Sequence, residues 1–152
     1  MKELFKERVN YNKLGGKEQE VYNFAKTAAV LVEYGFACSQ ITADKHGADM
    51  IAYHIDTATP YSIQLKGSRA TLDRKYAGKN IWIAYTDRKT SELCLYNHDQ
   101  AVKIYEKTKS GQCDTWKNKG WYSGMSMHKH FEEIITRLKL NFKIINLYLC
   151  LL

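Results

Sequence analysis

The stretch HGADMIAYHIDTATPYSIQLKGSR, residues 46–69, decides how the rest of the chain is read. Two apolar segments, Ala48 to Ile55 and Tyr61 to Gly67, flank the polar connection Asp56-Thr57-Ala58-Thr59. Pro60 is tolerated as the first residue of a strand. The pattern predicts a β-hairpin. Side chains alternate faces along a strand, so Gln64 and Lys66 share a face. A connection at 56–59 sets Ile55 opposite Pro60, Ile51 opposite Gln64 and Asp49 opposite Lys66. Directly opposed residues lie on the same face, so Asp49, Gln64 and Lys66 converge. Met50, Ala52 and His54 take the other face with Tyr61, Ile63 and Leu65, and that face reads as core. A turn one residue shorter or longer would undo this pairing.

A carboxylate, an amide and an ammonium group on one face suit phosphodiester cleavage. Negative charge grows on the phosphate oxygens during attack. A divalent metal held by Asp49 would neutralise that charge and acidify a bound water. Mg²⁺ fits, because it takes oxygen ligands, needs only one or two carboxylates and keeps waters. The Gln64 side-chain oxygen and the Leu65 carbonyl are further candidate ligands. Lys66 would act as a charge clamp or proton acceptor beside the attacking water. The same three residues also fit an exposed sheet face on which Asp49 pairs with Lys66 and Gln64 is solvated.

Outward from the hairpin, residues 17–34 predict a helix. Val21, Phe24, Ala25, Ala28, Leu31 and Val32 recur at spacings of three and four. Gly35 stands where a left-handed cap residue belongs. Phe36 to Thr42 predicts a strand before the hairpin. Ile81 to Tyr85 is a continuous apolar run, as in a strand buried on both faces. Glu92 to Tyr96 predicts another strand, and Asn97 or Asp99 caps a helix through Lys107. Residues 68–79 read as a basic loop or short helix, and 108–126 as irregular loop. Ser126 caps a helix expected from Met127 to Leu140, with Phe131, Ile134, Ile135 and Leu138 on one stripe. The order implies a mixed sheet covered by helices, an α/β or α+β architecture. One domain over residues 1–141, with its core at about 17–97, is expected from a chain of 152 residues. An apolar tail follows at 142–152, too short and too interrupted by lysine to span a membrane.

The net charge of +7 and pI near 9.2 favour a polyanionic partner. The four cysteines are scattered and no signal peptide opens the chain, so reduced thiols and a cytoplasmic location are expected. Cys113, His128 and His130 lack a fourth ligand for zinc. Trp116, Trp121 and Tyr122 read as a loop packed on the core rather than as base-stacking residues.

Asp49 followed fifteen residues later by Gln64-Leu65-Lys66 resembles the PD-(D/E)xK nuclease superfamily, as does the helix ending in Glu33-Tyr34-Gly35-Phe36. The resemblance spans roughly residues 17–86. It implies a restriction-endonuclease-like fold: a helix, a three-stranded meander, then a helix and a further strand. It departs at Gln64, where the superfamily usually has an acid. Some members, at least one intron-encoded homing enzyme among them, carry Gln there and remain active. The resemblance implies a Mg²⁺-dependent endonuclease acting on DNA, with Mn²⁺ able to substitute, and a homodimer for cutting two strands. It also implies an acid from the first helix, for which Glu20 is the candidate and Glu18 the fallback. With the hairpin as the site, Arg69, Arg74, Lys75 and Lys79, and Arg88 and Lys89 past the next strand, flank it and would bind phosphates, with Ser68 adding a hydroxyl. Gln64 also motivates a rival: a nuclease fold without activity that binds nucleic acid or a protein.

Overall fold

The computed structural model describes residues 7–42, 46–67, 71–123 and 128–140. Helix α1 (Gly16–Glu33) ends where Gly35 takes a φ of +79°, a conformation that L side chains rarely adopt. Its buried side runs through Thr27, Val30 and Leu31, with Phe24 packed beside them. Val21 and Val32 point to solvent instead. Helical spacing is met by both 21/25/28/32 and 24/27/28/31, and the sheet meets the second set.

Three antiparallel strands follow: β1 (Phe36–Gln40), β2 (Met50–His54) and β3 (Pro60–Lys66). The chain then forms the short strand β4 (Thr71–Asp73) and one 3₁₀ turn over Arg74–Tyr76. The family resemblance implied a helix at this place, and the observed crossover is this strand and turn. Strand β5 (Trp82–Thr86) lies parallel to β3, and β6 (Leu93–Asn97) returns antiparallel to β5. Helix α2 (His98–Tyr105) is capped by the Asn97 side chain, which accepts from the Gln100 N–H at 3.1 Å.

Two expectations fail beyond α2. Within the expected loop 108–126, helix α3 (Asp114–Lys119) ends at left-handed Gly120, and β7 (Trp121–Ser123) pairs with β4. Trp116 anchors this region, fully buried against Tyr105, with the Arg74 guanidinium over its ring. The helix expected from Met127 to Leu140 is a single turn, α4 (His128–Phe131), then a 3₁₀ turn and strand β8 (Thr136–Leu138) on β6. Ile134-Ile135-Thr136 is β-branched, which suits a strand. Arg137 fastens it, bonding Glu132 at 2.6 Å and lying 3.7 Å from Asp87. Ser126 and the tail 142–152 lie outside the described residues.

The main sheet runs β1-β2-β3-β5-β6-β8 and has a core on each face. On one side Met50, Ala52, Ile63, Ala84, Leu93 and Leu95 meet Val30 and Leu31 of α1. On the other, Ile83, Tyr85, Cys94 and Tyr96 meet Leu72, Tyr76, Tyr105 and Trp116. Both faces of β5 and β6 are covered, which is why these strands are apolar throughout. The fold is a mixed α+β sheet flanked by helices.

Candidate functional site

The hairpin register places Tyr53, not Ile55, opposite Pro60 and sets Met50 opposite Ile63. The pairing is displaced by two residues, because the connection is longer than a four-residue turn. Its Ala58 N–H donates to the His54 carbonyl, and Ala58 takes a positive φ. A displacement of two preserves the face of every side chain. Asp49 lies beside Gln64 rather than Lys66: its N–H donates to the Ile63 carbonyl at 2.9 Å.

Around Asp49 the hydrogen bonds form a chain. The Gln64 amide nitrogen donates to Asp49 Oδ2 and to the Leu65 carbonyl, the latter at 3.2 Å. The Leu65 N–H donates to the same Oδ2 at 2.8 Å. Gln64 Oε1 accepts from the Tyr76 hydroxyl at 3.1 Å, and Lys66 Nζ donates to Tyr76 at 3.2 Å. Gln64 and Tyr76 are buried, and Asp49 and Lys66 are half-buried. Tyr76 is clamped from two sides. His98 meets it edge to face at 5.6 Å, and Gly47 lies so close that an added Cβ would come within 2.6 Å of its ring. Burial pushes the His98 imidazole below its ordinary pKa, against the opposing pull of Asp99.

At the end of these strands a small cleft is lined by Glu20, Asn23, Gln40, Ile41, Asp49 and Leu65. Helix α1 therefore brings Glu20 to the cleft that Asp49 lines. Glu18 lines a separate surface with Leu14, Lys17, Val21 and Tyr22. The Glu20 carboxylate takes the Lys17 ammonium at 2.8 Å, at the solvent edge. Lys66 does not line this cleft and connects to it through Tyr76 and Gln64.

The donor chemistry fits a hard cation. Asp49 Oδ2 and the Leu65 carbonyl converge on one point, which the Gln64 amide nitrogen fills. The Gln64 oxygen faces Tyr76 instead, so the oxygen donors at the cleft are the Asp49 and Glu20 carboxylates and the Leu65 carbonyl, of the kind Mg²⁺ takes. Among the described residues no three His, Cys, Asp or Glu side chains gather as a metal site.

The basic residues expected to flank the site are partly engaged. Arg74 donates to the Lys117 carbonyl at 2.9 Å and covers Trp116, which ties the crossover to α3. Lys75 pairs with Asp73 at 3.1 Å, and Lys79 donates to the His46 carbonyl at 3.1 Å. Ser68 and Arg69 lie outside the described residues. His54 is half-buried against Phe36, and its Nδ1 accepts from the Asp56 N–H.

A second polar cleft adjoins the first, and of its residues the sequence pointed only to Arg88. Tyr11, Tyr22, Asn23, Lys26, Gly67 and Arg88 are among its lining residues. It shares Asn23 with the Asp49 cleft. Lys26 lies over the Tyr22 ring and Arg88 over the Tyr11 ring. One further signal was present: Glu20, Asn23 and Lys26 are spaced by three along α1, and so lie along one side of it.

No described helix is long and apolar enough to cross a membrane. No family model matches the chain, and no curated protein matches it. Among solved structures the chain is similar to a bacterial homing endonuclease, with 10% identity, a TM-score of 0.43, and coverage of 57% of this chain and 67% of that chain.

Proposed function

We propose that the chain is a metal-dependent endonuclease that hydrolyses DNA phosphodiester bonds. The observation that carries this reading is the meeting of Asp49 and Glu20 in one cleft, with Lys66 joined to Asp49 through buried Tyr76 and Gln64. Asp49, Glu20, the Leu65 carbonyl and the Gln64 side-chain oxygen would hold Mg²⁺, or Mn²⁺ in its place. When bound, the ion would neutralise charge on the phosphate and lower the pKa of a water. Lys66 supplies a positive charge behind the carboxylate, on the strand that also carries Gln64 and Leu65. From there it would offset charge building on the phosphate. Lys26 and Arg88, in the adjoining cleft, would hold the phosphates of the strand being cut. A homodimer would deliver two such sites to the two strands of a duplex.

The test is plasmid cleavage with Mg²⁺ for Asp49→Ala and Lys66→Ala. Loss of nicking in both is expected, and wild-type rates in both would overturn the reading. The rival, a nuclease fold that binds nucleic acid without cutting it, draws on one observation. The Gln64 amide satisfies Asp49 with no cation. DNA binding that weakens with salt, without cleavage in Mg²⁺ or Mn²⁺, is its signature.

A further inference from the structure

We propose that Tyr76 is a latch on the Gln64 amide, holding its nitrogen at the point where a divalent cation would sit. The inference rests on the nuclease reading above and names a positioning residue for that site.

Counting protons fixes the direction of every bond in the network. The Lys66 ammonium can only donate, so at 3.2 Å the Tyr76 oxygen accepts. The phenol has one proton, and it goes to Gln64 Oε1 at 3.1 Å. That choice turns the amide nitrogen the other way. Its two protons meet two groups that can only accept, Asp49 Oδ2 and the Leu65 carbonyl. The reversed amide would set oxygen against both of these oxygens and leave the phenol proton without its acceptor. Gln64 and Tyr76 are 8% and 3% exposed, so water is poorly placed to repair those losses. The amide is locked in one orientation by a neighbour that does not line the cleft.

That orientation suits a site without a cation and opposes one with it. A divalent ion on Asp49 and the Leu65 carbonyl would meet the amide nitrogen, which has no lone pair to give. To become a ligand, Gln64 must turn over and present Oε1. Its nitrogen would then donate to Tyr76, which Lys66 already bonds. The phenol resists this turn because its own proton loses Oε1. An acid at position 64 would need no turn, since both of its oxygens accept. Gln64 and Tyr76 together therefore set a threshold for cation binding that an acid would lack. Gly47 and His98 keep the ring in place while the amide moves.

The experiment measures Mn²⁺ affinity of the full chain, without DNA, from the electron paramagnetic resonance signal of free Mn²⁺. Wild type, Tyr76→Phe, Gln64→Glu and Asp49→Ala are compared, each checked for folding by circular dichroism. The phenylalanine keeps the ring and removes the proton. Tyr76→Phe is expected to bind Mn²⁺ about five- to ten-fold more tightly than wild type, the worth of one neutral hydrogen bond. Gln64→Glu is expected to bind more tightly still, and Asp49→Ala to lose the site. In a parallel Mg²⁺ titration of the ¹⁵N-labelled wild type, the Gln64 side-chain amide resonances are expected to shift. Tighter binding by Gln64→Glu with no gain in Tyr76→Phe would overturn the latch and leave the metal reading standing. Gln64 amide resonances that stay put while Asp49 and Leu65 signals shift would also overturn it. Failure of every variant to bind Mn²⁺, Gln64→Glu included, would overturn both.

Discussion

Tyr96 on β6 holds Thr71 at the start of β4 by two hydrogen bonds, accepting from its N–H at 2.9 Å and donating to its carbonyl at 2.8 Å. One phenol thus does for the end of a short strand what a neighbouring strand would otherwise do. Tyr96→Phe leaves both backbone groups of Thr71 without this partner. A loss of about 1–3 kcal/mol of stability is expected, from the cost of orphaned polar groups. Amide hydrogen exchange at Leu72 and Asp73 should quicken more than exchange in β2, because the damage lies at the β4–β7 ribbon.

Gly47 has a φ of +96°, and a Cβ added there would lie 2.6 Å from the Tyr76 ring. Gly47→Ala therefore faces both backbone strain and a buried ring that cannot easily move. An expected loss of about 1–3 kcal/mol follows from strain and overpacking together. The midpoint of urea unfolding measures it. The same variant should broaden the Gln64 side-chain amide resonances, because the ring that orients the amide is displaced.

His98 is fully buried, accepts from the Asp73 N–H at 3.1 Å through Nε2, and has its pKa lowered from the ordinary 6.5 chiefly by burial. Unfolded, the ring takes its proton near 6.5; folded, it does so only at lower pH. Between those values the unfolded chain binds more protons. This contribution to stability is complete above the unfolded pKa and falls as pH drops below it, by at most about 1.4 kcal/mol per pH unit. Urea midpoints measured from pH 7.5 to 5 should show that fall. In His98→Gln the midpoint should be lower throughout and the fall shallower.

Lys26 and Arg88 lie in the cleft that adjoins Asp49, and both sit over tyrosine rings. If each contacts one phosphate, Lys26→Ala and Arg88→Ala should each lower the salt slope of DNA binding by about 1. Fluorescence anisotropy of a labelled duplex at several salt concentrations, with Ca²⁺ in place of Mg²⁺, gives the slopes. Slopes unchanged in both variants would move the DNA path elsewhere.

The hairpin was legible because parity is robust. The register came out displaced by two residues, yet Asp49, Gln64 and Lys66 kept their shared face, since only an odd displacement exchanges faces. Helix α1 was legible from spacing and its Gly35 cap, while the side it buries was not, because Val21 and Val32 fit a helical stripe as well as Phe24 and Leu31 do. Strands β5 and β6 announced themselves as apolar runs. Strand β8 did not: Phe131, Ile134, Ile135 and Leu138 match a helix stripe, and only pairing with β6 and the Arg137 ion pairs decide for a strand. Helix α3 hid among Lys, Gly and Ser because one buried residue, Trp116, holds it. Tyr76 was beyond reach, since no local pattern says that a tyrosine ten residues past Lys66 returns to touch it.

Among the described residues the main sheet has one parallel pairing, β3 with β5, and the crossover it requires divides the candidate site between two parts of the chain. Asp49 and Gln64 sit on adjacent arms of a hairpin, whose closure needs only a short loop. Tyr76 lies outside that hairpin, twelve residues past Gln64, on the crossover that leads to β5. The Asp49 carboxylate and the Leu65 carbonyl thus come from one hairpin, and the restraint on their use comes from chain that is synthesised afterwards.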